Sequence, residues 1–184
     1  MKNNERPPSE RSAFGVPRSA PAFVALGSNL GDSRALVLAA MDRLESFSAA
    51  PLLRSSLWQS TPVDCPPGTP MFVNAVVGLL PRAGETAASL LKKLHEVEQD
   101  FGRQPKKVMN ESRPLDLDLI TFGNETRASE TLVLPHPRAH LRRFVLQPLS
   151  EIASELILPG QTRTVAELLA GLDSGEALVR LQRP

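Results

Sequence analysis

The sequence predicts an α+β fold with the order β-α-β-β-α-β, the ferredoxin-like pattern of an antiparallel sheet carrying helices on one face. Three observations lead there. Apolar stretches of strand length occur at "AFVALGS", "LLRSSLWQS", "MFVNAVVGLL" and "LDLDLITF". Two segments with helical spacing, "DSRALVLAAMDRLESF" and "GETAASLLKKLHEVEQDFG", fall after the first and third of them. The chain has 184 residues, 41% apolar and 22% charged, enough for one domain with a sizeable core.

Residues 1 to 20 are rich in Pro, Ser, Arg and Asn with little apolar patterning, and read as a disordered leader before a single domain over residues 21–184. The first strand, in "AFVALGSNLGD", ends in a turn. Asp32 or Ser33 then caps a helix whose Val37, Ala40, Met41, Leu44 and Phe47 share one face. The next two strands are joined by the proline-rich "TPVDCPPGTP". In the second of these, Val73, Ala75, Val77 and Leu79 point one way, with Phe72 and Asn74 on the other side. The second helix carries the stripe Ala87, Leu90, Leu91, Leu94, Val97 and Phe101, and Gly102 suits its C-terminal stop. The loop "RQPKKVMNES" leads to the fourth strand. A short strand in "TLVLP", a turn and short helix in "HPRAHLRRFVLQPLSEI", and a small helix in "TVAELLAGL" form a C-terminal strand and helix extension.

A formal charge of +1 gives no global reason to expect nucleic acid or an acidic membrane as partner, so any anion must be met by a local basic cluster. The single cysteine, Cys65, excludes an internal disulfide and a cysteine metal site, and reads as an incidental thiol. The N-terminus has no signal-like apolar region, and no run approaches the roughly 20 apolar residues of a membrane span. A cytoplasmic, soluble protein is expected.

The residues with the most chemistry lie in "RPLDLDLITFG". On an extended strand Asp116 and Asp118 share one face, roughly 7 Å apart, while Leu115, Leu117 and Leu119 share the other. Paired carboxylates suit a hard cation such as Mg²⁺, which takes one or two of them and completes its shell with water and phosphate. A solvated strand face is the plainer alternative. Arg103, Lys106, Lys107 and Arg113 precede the pair, and His136, Arg138, His140, Arg142 and Arg143 follow it. Arginines beside a metal-binding acid pair suit phosphoryl transfer, although each basic residue alone also fits a solvated surface. "GSNLGD" is neither a Walker loop nor a dinucleotide fingerprint. Phe72 and Asn74 offer a stacking ring and an amide to a planar heterocycle, or else a buried cross-strand pair. His95 fits a surface or core-edge position, and Trp58 a sheet-packing aromatic.

In order along the chain, "ALGSNLGD", "STPV", "FVNAVV", "EQDFGR", "RPLDLDLITFGN" and "LVLPHPRAHLRRFVLQPLSEI" resemble the 6-hydroxymethyl-7,8-dihydropterin pyrophosphokinases of folate biosynthesis, over roughly residues 22 to 158. The resemblance implies transfer of diphosphate from the co-substrate ATP to the pterin hydroxymethyl group, with AMP released. It implies two Mg²⁺ ions on Asp116 and Asp118, and pterin between Phe72 and Phe144. Asn74 and the segment Ser60, Thr61, Pro62 and Val63 would meet the pterin edge, with Gly27, Ser28 and Asn29 beside it. Glu98, Arg103, Arg113, His136 and Arg142 match polar positions at the nucleotide and its phosphates, and His95 and Leu119 match positions lining it. Arg103 and Arg113 join the two aspartates as the expected catalytic residues, and a monomer is expected.

The sequence departs from the family in "VMNESR", where an aromatic and a Gly-Pro or Ala-Pro commonly precede the motif arginine. Two other classes compete. A ferredoxin-like RNA-binding module would need more than 4% aromatics and an RNP-like segment, which is absent. A two-metal phosphodiesterase or nuclease would recruit further ligands, for which only His136 and Glu98 are at hand.

Overall fold

The computed structural model describes residues 20–104 and 112–182. The expected leader, except for Ala20, lies outside the described residues, as do Lys106, Lys107 and most of the atypical segment before Arg113. The first strand, β1 (Ala22–Ser28), is followed by α1 (Ser33–Glu45), β2 (Leu53–Arg54), β3 (Trp58–Ser60), β4 (Phe72–Leu79), α2 (Ala87–Asp100) and β5 (Asp116–Phe122). A small hairpin, β6 (Arg127–Ala128) and β7 (Val133–Leu134), comes next. Then come α3 (Arg143–Ala153), α4 (Val165–Ala170) and β8 (Leu178–Arg180).

The main sheet runs β5-β1-β4-β3-β8, with every neighbouring pair antiparallel, and β2 also pairs with β4. It is an α+β fold built on an antiparallel sheet.

Local chemistry sets the element ends. The Asp32 carboxylate accepts from Ala35 N–H at 3.1 Å and starts α1. Thr86 and Ser89 form a reciprocal capping box at α2, and Gly102, at φ +88°, lets the chain turn away beyond it. The expected single strand "LLRSSLWQS" is two short ones. Ser55 is the reason: its backbone N–H donates to Val76 O at 3.0 Å while its Oγ accepts from Val76 N–H at 2.9 Å, so a hydroxyl replaces a backbone carbonyl in the ladder. The register with β4 shifts by one residue across this break.

The expectation of helices on one face alone is corrected. On one side α1 and α2 bury Val37, Met41, Leu44, Leu90 and Leu94 against Val24, Leu26, Ala75, Val77 and Leu117. On the other, Phe23, Val76 and Ile120 pack with Val145, Leu146 and Leu149 of α3 and with Val165 and Leu168 of α4. The second face carries apolar side chains of its own, and burying them requires a second helical layer. The other new element is β8, which joins the sheet beside β3.

Candidate active site

A cavity of about 300 Å³ opens where small residues occupy the middle of the sheet. Asn74, Gly27 and Asp116 are direct cross-strand neighbours on β4, β1 and β5, and the next such row is Val76, Ala25 and Asp118. A Cβ on Gly27 would lie 3.5 Å from Asn74 Oδ1 and 4.0 Å from Asp116 Cβ. The missing side chain therefore keeps the floor open between the amide and the acid. Phe144 and Val145, at the start of α3, line the cavity, as do Leu91 and His95 of α2.

The two aspartates meet different cations. Asp116 Oδ1 pairs with Arg113 at 2.9 Å and Arg103 at 3.1 Å. Arg103 also pairs with Glu98, whose carboxylate accepts from Leu117 N–H at 2.7 Å. Glu98 is only 2% exposed, and burial pushes its pKa up to about 7 despite the Leu117 hydrogen bond and the Arg103 charge. Asp118 Oδ2 stands 3.9 Å from His136 Nε2 and 4.0 Å from Arg142. Desolvation in the recess and the adjacent Asp116 charge raise the Asp118 pKa against the pull of His136, Arg142 and Arg113.

His136 is docked by its own N–H, which donates at 2.8 Å to the carbonyl of Ile120. Ile120 is the residue left without a β1 partner by a register shift, and that frees its carbonyl. Burial lowers the His136 pKa, and Nδ1 accepts from Arg138 N–H at 3.2 Å. The neutral ring therefore presents Nε2–H to the cavity. Arg142 lies over the Phe144 ring with its guanidinium carbon 5.3 Å from the centroid, and its pKa is lowered chiefly by burial.

Of the residues expected at the site, Gly27, Ser60, Thr61, Val63, Phe72, Asn74, His95, Arg103, Arg113, Asp116, Asp118, His136, Arg142 and Phe144 line this one cavity. Asn74 is oriented by a 2.8 Å bond from its Nδ2 to Ser60 Oγ. Pro62, Asn29, Glu98 and Leu119 are not among the lining residues. Asn29 is buried and clamps the approach to β5: its Oδ1 accepts from Arg113 N–H at 2.9 Å and its Nδ2 donates to Ser112 Oγ at 3.1 Å. Glu98 backs the cavity through Arg103 and Leu117, whereas the Leu119 side chain belongs to the core beneath. Arg138, from the basic run named beside the acid pair, also lines the cavity, as does Cys65, which reads from the sequence as an incidental thiol. Arg138 has a signal in the basic run after "LVLP"; Cys65 has none, because loop residues have no period.

Two carboxylates and several cations facing one recess are the groups that phosphoryl transfer calls for. The chain matches the family model described as 7,8-dihydro-6-hydroxymethylpterin-pyrophosphokinase (HPPK) over residues 23–154, and it belongs to that family. It is 39% identical over 152 residues to the 2-amino-4-hydroxy-6-hydroxymethyldihydropteridine pyrophosphokinase of Haemophilus influenzae, covering 80% of this chain and 90% of that protein. The Pseudomonas aeruginosa protein of the same name is 37% identical over 149 residues, covering 80% and 89%. The crystal structure of an HPPK-DHPS in complex with substrates matches with a TM-score of 0.64 at 12% identity, over 84% of this chain. This chain spans 43% of that one, so the likeness there is one of fold.

Proposed function

We propose that this cavity transfers the β,γ-diphosphate of ATP, as one unit, to the hydroxymethyl oxygen of 6-hydroxymethyl-7,8-dihydropterin, yielding the pterin diphosphate and AMP in tetrahydrofolate biosynthesis. One observation carries the reading: the acid pair, the basic residues around it, and Phe72, Asn74 and Phe144 line a single cavity in a member of this family.

In the reaction the hydroxymethyl oxygen attacks the β-phosphorus, the bond from that phosphorus to the α,β-bridging oxygen breaks, and its electron pair leaves with AMP. The hydroxyl proton is released to solvent. Pterin stacks between Phe72 and Phe144 while the Asn74 amide reads its edge. His95 and Leu91 line the nucleotide end, and Arg103, Arg113, Arg142 and His136 Nε2–H face the phosphates. Asp116 and Asp118 fit a hard divalent cation: they are oxygen donors in one recess, and a cation there would offset both the desolvation and the Asp116 repulsion that raise the Asp118 pKa. They would hold two Mg²⁺ ions, which when bound supply charge neutralisation and alignment of the phosphates. Catalysis by the chain itself then rests on positioning and charge stabilisation.

Further parts of this reading are that residues 21–184 act as one domain, that the strand order is the ferredoxin-like one, and that the chain works as a cytoplasmic monomer. The order β5-β1-β4-β3, all antiparallel, supports the second. Among the described residues no helix is long and apolar enough to cross a membrane.

The test is AMP formation from ATP with and without the pterin and Mg²⁺. AMP that appears only when both are present supports the transferase. AMP production without pterin would instead favour a hydrolase.

A further inference from the structure

The family match ends at residue 154, yet residues 172–181 bond to both walls of the cavity's aromatic end. On one side the tail joins the sheet: Leu178 pairs with Ser60, and Thr61 N–H donates to Ala177 O at 3.2 Å. Ala177 N–H returns a 3.3 Å bond to Thr61 Oγ1. On the other side it grips the start of α3. Arg143 donates to Leu172 O at 2.9 Å and to Ser174 Oγ at 3.2 Å, and a Glu176 carboxylate oxygen accepts from Phe144 N–H at 3.1 Å.

The N-cap residue of α3, Arg142, makes no capping hydrogen bond with its side chain. The first N–H groups of a helix need acceptors, and a carboxylate there is also favoured by the helix dipole. Glu176 fills that role from 32 residues away in sequence. Phe144, whose backbone it holds, lines the cavity, and the next residue along the tail is bonded to Thr61, which lines it as well.

We propose that Glu176 is a positioning residue for the pterin subsite: it fixes Phe144 from behind and, through Ala177, sets the spacing between Phe144 and the Ser60–Thr61 segment. This rests on the assignment of Phe72, Asn74 and Phe144 to pterin. A pocket for a planar ring needs its two walls held at a fixed separation before the ligand arrives, and a strap bonded to both supplies that preorganisation.

The experiment measures pterin and nucleotide dissociation constants by titration calorimetry, with a non-hydrolysable ATP analogue, for the wild type, Glu176→Ala, Glu176→Gln and Asn74→Ala. Melting temperature is recorded for each. Glu176→Ala is expected to weaken pterin binding about tenfold, the effect of losing a hydrogen bond to a charged group, with nucleotide affinity unchanged. Glu176→Gln keeps an acceptor oxygen for Phe144 N–H and should restore most of the affinity. Equal loss for pterin and nucleotide in Glu176→Ala, unaltered pterin affinity, or no recovery in Glu176→Gln would each overturn the proposal. If Asn74→Ala leaves pterin affinity untouched, the subsite assignment itself is what fails.

Discussion

Asp116 and Asp118 are held at the cavity by opposite arrangements. Asp116 sits between two arginines at hydrogen-bond distance, while Asp118 keeps its cations about 4 Å away. If the pair holds a cation as proposed, Asp118 offers the freer oxygens, and Asp116 would share its own between that cation and its arginines. Replacing either with Asn is expected to lower kcat by on the order of a thousandfold, comparable to or exceeding the loss of one charge-stabilising donor. The melting temperature should change little, since neither side chain is in the core, and a kcat within a few-fold of wild type would remove the metal assignment.

Glu98 predicts a pH effect of definite sign. Its folded pKa of about 7 lies above the ordinary value of 4.5, so the native chain binds the proton more tightly than the unfolded one. That stabilisation is complete below pH 4.5 and is lost as pH rises towards and through 7. Chemical denaturation from pH 5 to 8 should show wild type losing stability relative to Glu98→Gln by a few kcal/mol, at about 1.4 kcal/mol for each pH unit separating the folded and unfolded pKa values. A constant difference between the two across that range would contradict the buried, proton-holding carboxyl. The strand period alone makes the shared face of Asp116 and Asp118 legible. The burial of Glu98 is not, because nothing in "HEVEQDFG" tells which acid turns under the sheet; its register with Leu117 decides that.

Elements with strong periods are legible in the sequence. The apolar stripes of α1 and α2 and the two faces of β4 appear as expected. Legibility fails where a side chain competes with the ladder or where the partner is far away. Ser55 breaks an otherwise continuous strand through its hydroxyl, and β8 finds its partner β3 more than a hundred residues back. The second helical layer has a readable signal, since Val145, Leu146, Leu149 and Ile152 carry helical spacing, but its docking face depends on Phe23, Val76 and Ile120.

The same packing gives an element-level prediction. A Cβ on Gly78 would come within 2.9 Å of Phe23 Cε1 and 3.3 Å of Leu53, closer than those side chains tolerate without shifting. Gly78→Ala is expected to destabilise the chain by about 1–3 kcal/mol, the cost of overpacking. Denaturant unfolding reads this directly, and unchanged stability would mean that the Phe23 ring yields freely.

At the scale of the whole molecule, the cavity exists because three separate segments converge on a sheet whose centre lacks bulk. β5 brings the acids, the 136–144 stretch brings cations and an aromatic ring, and β3 with β4 brings the amide edge. Ala25 and Gly27 leave the floor open beneath them. The motifs name these residues, but only the strand order β5-β1-β4-β3 sets Asn74 and Asp116 on either side of Gly27. In the proposed reaction, that adjacency would put a heterocycle read by Asn74 within reach of a phosphate chain held beside Asp116.

The most direct measurement is a calorimetric titration of Mg²⁺ into the chain saturated with a non-hydrolysable ATP analogue, compared with the variant carrying both Asp116→Asn and Asp118→Asn. Two ions taken up per wild-type chain, with that uptake lost in the double variant, is the predicted result. Identical isotherms for the two proteins would contradict the account at its centre.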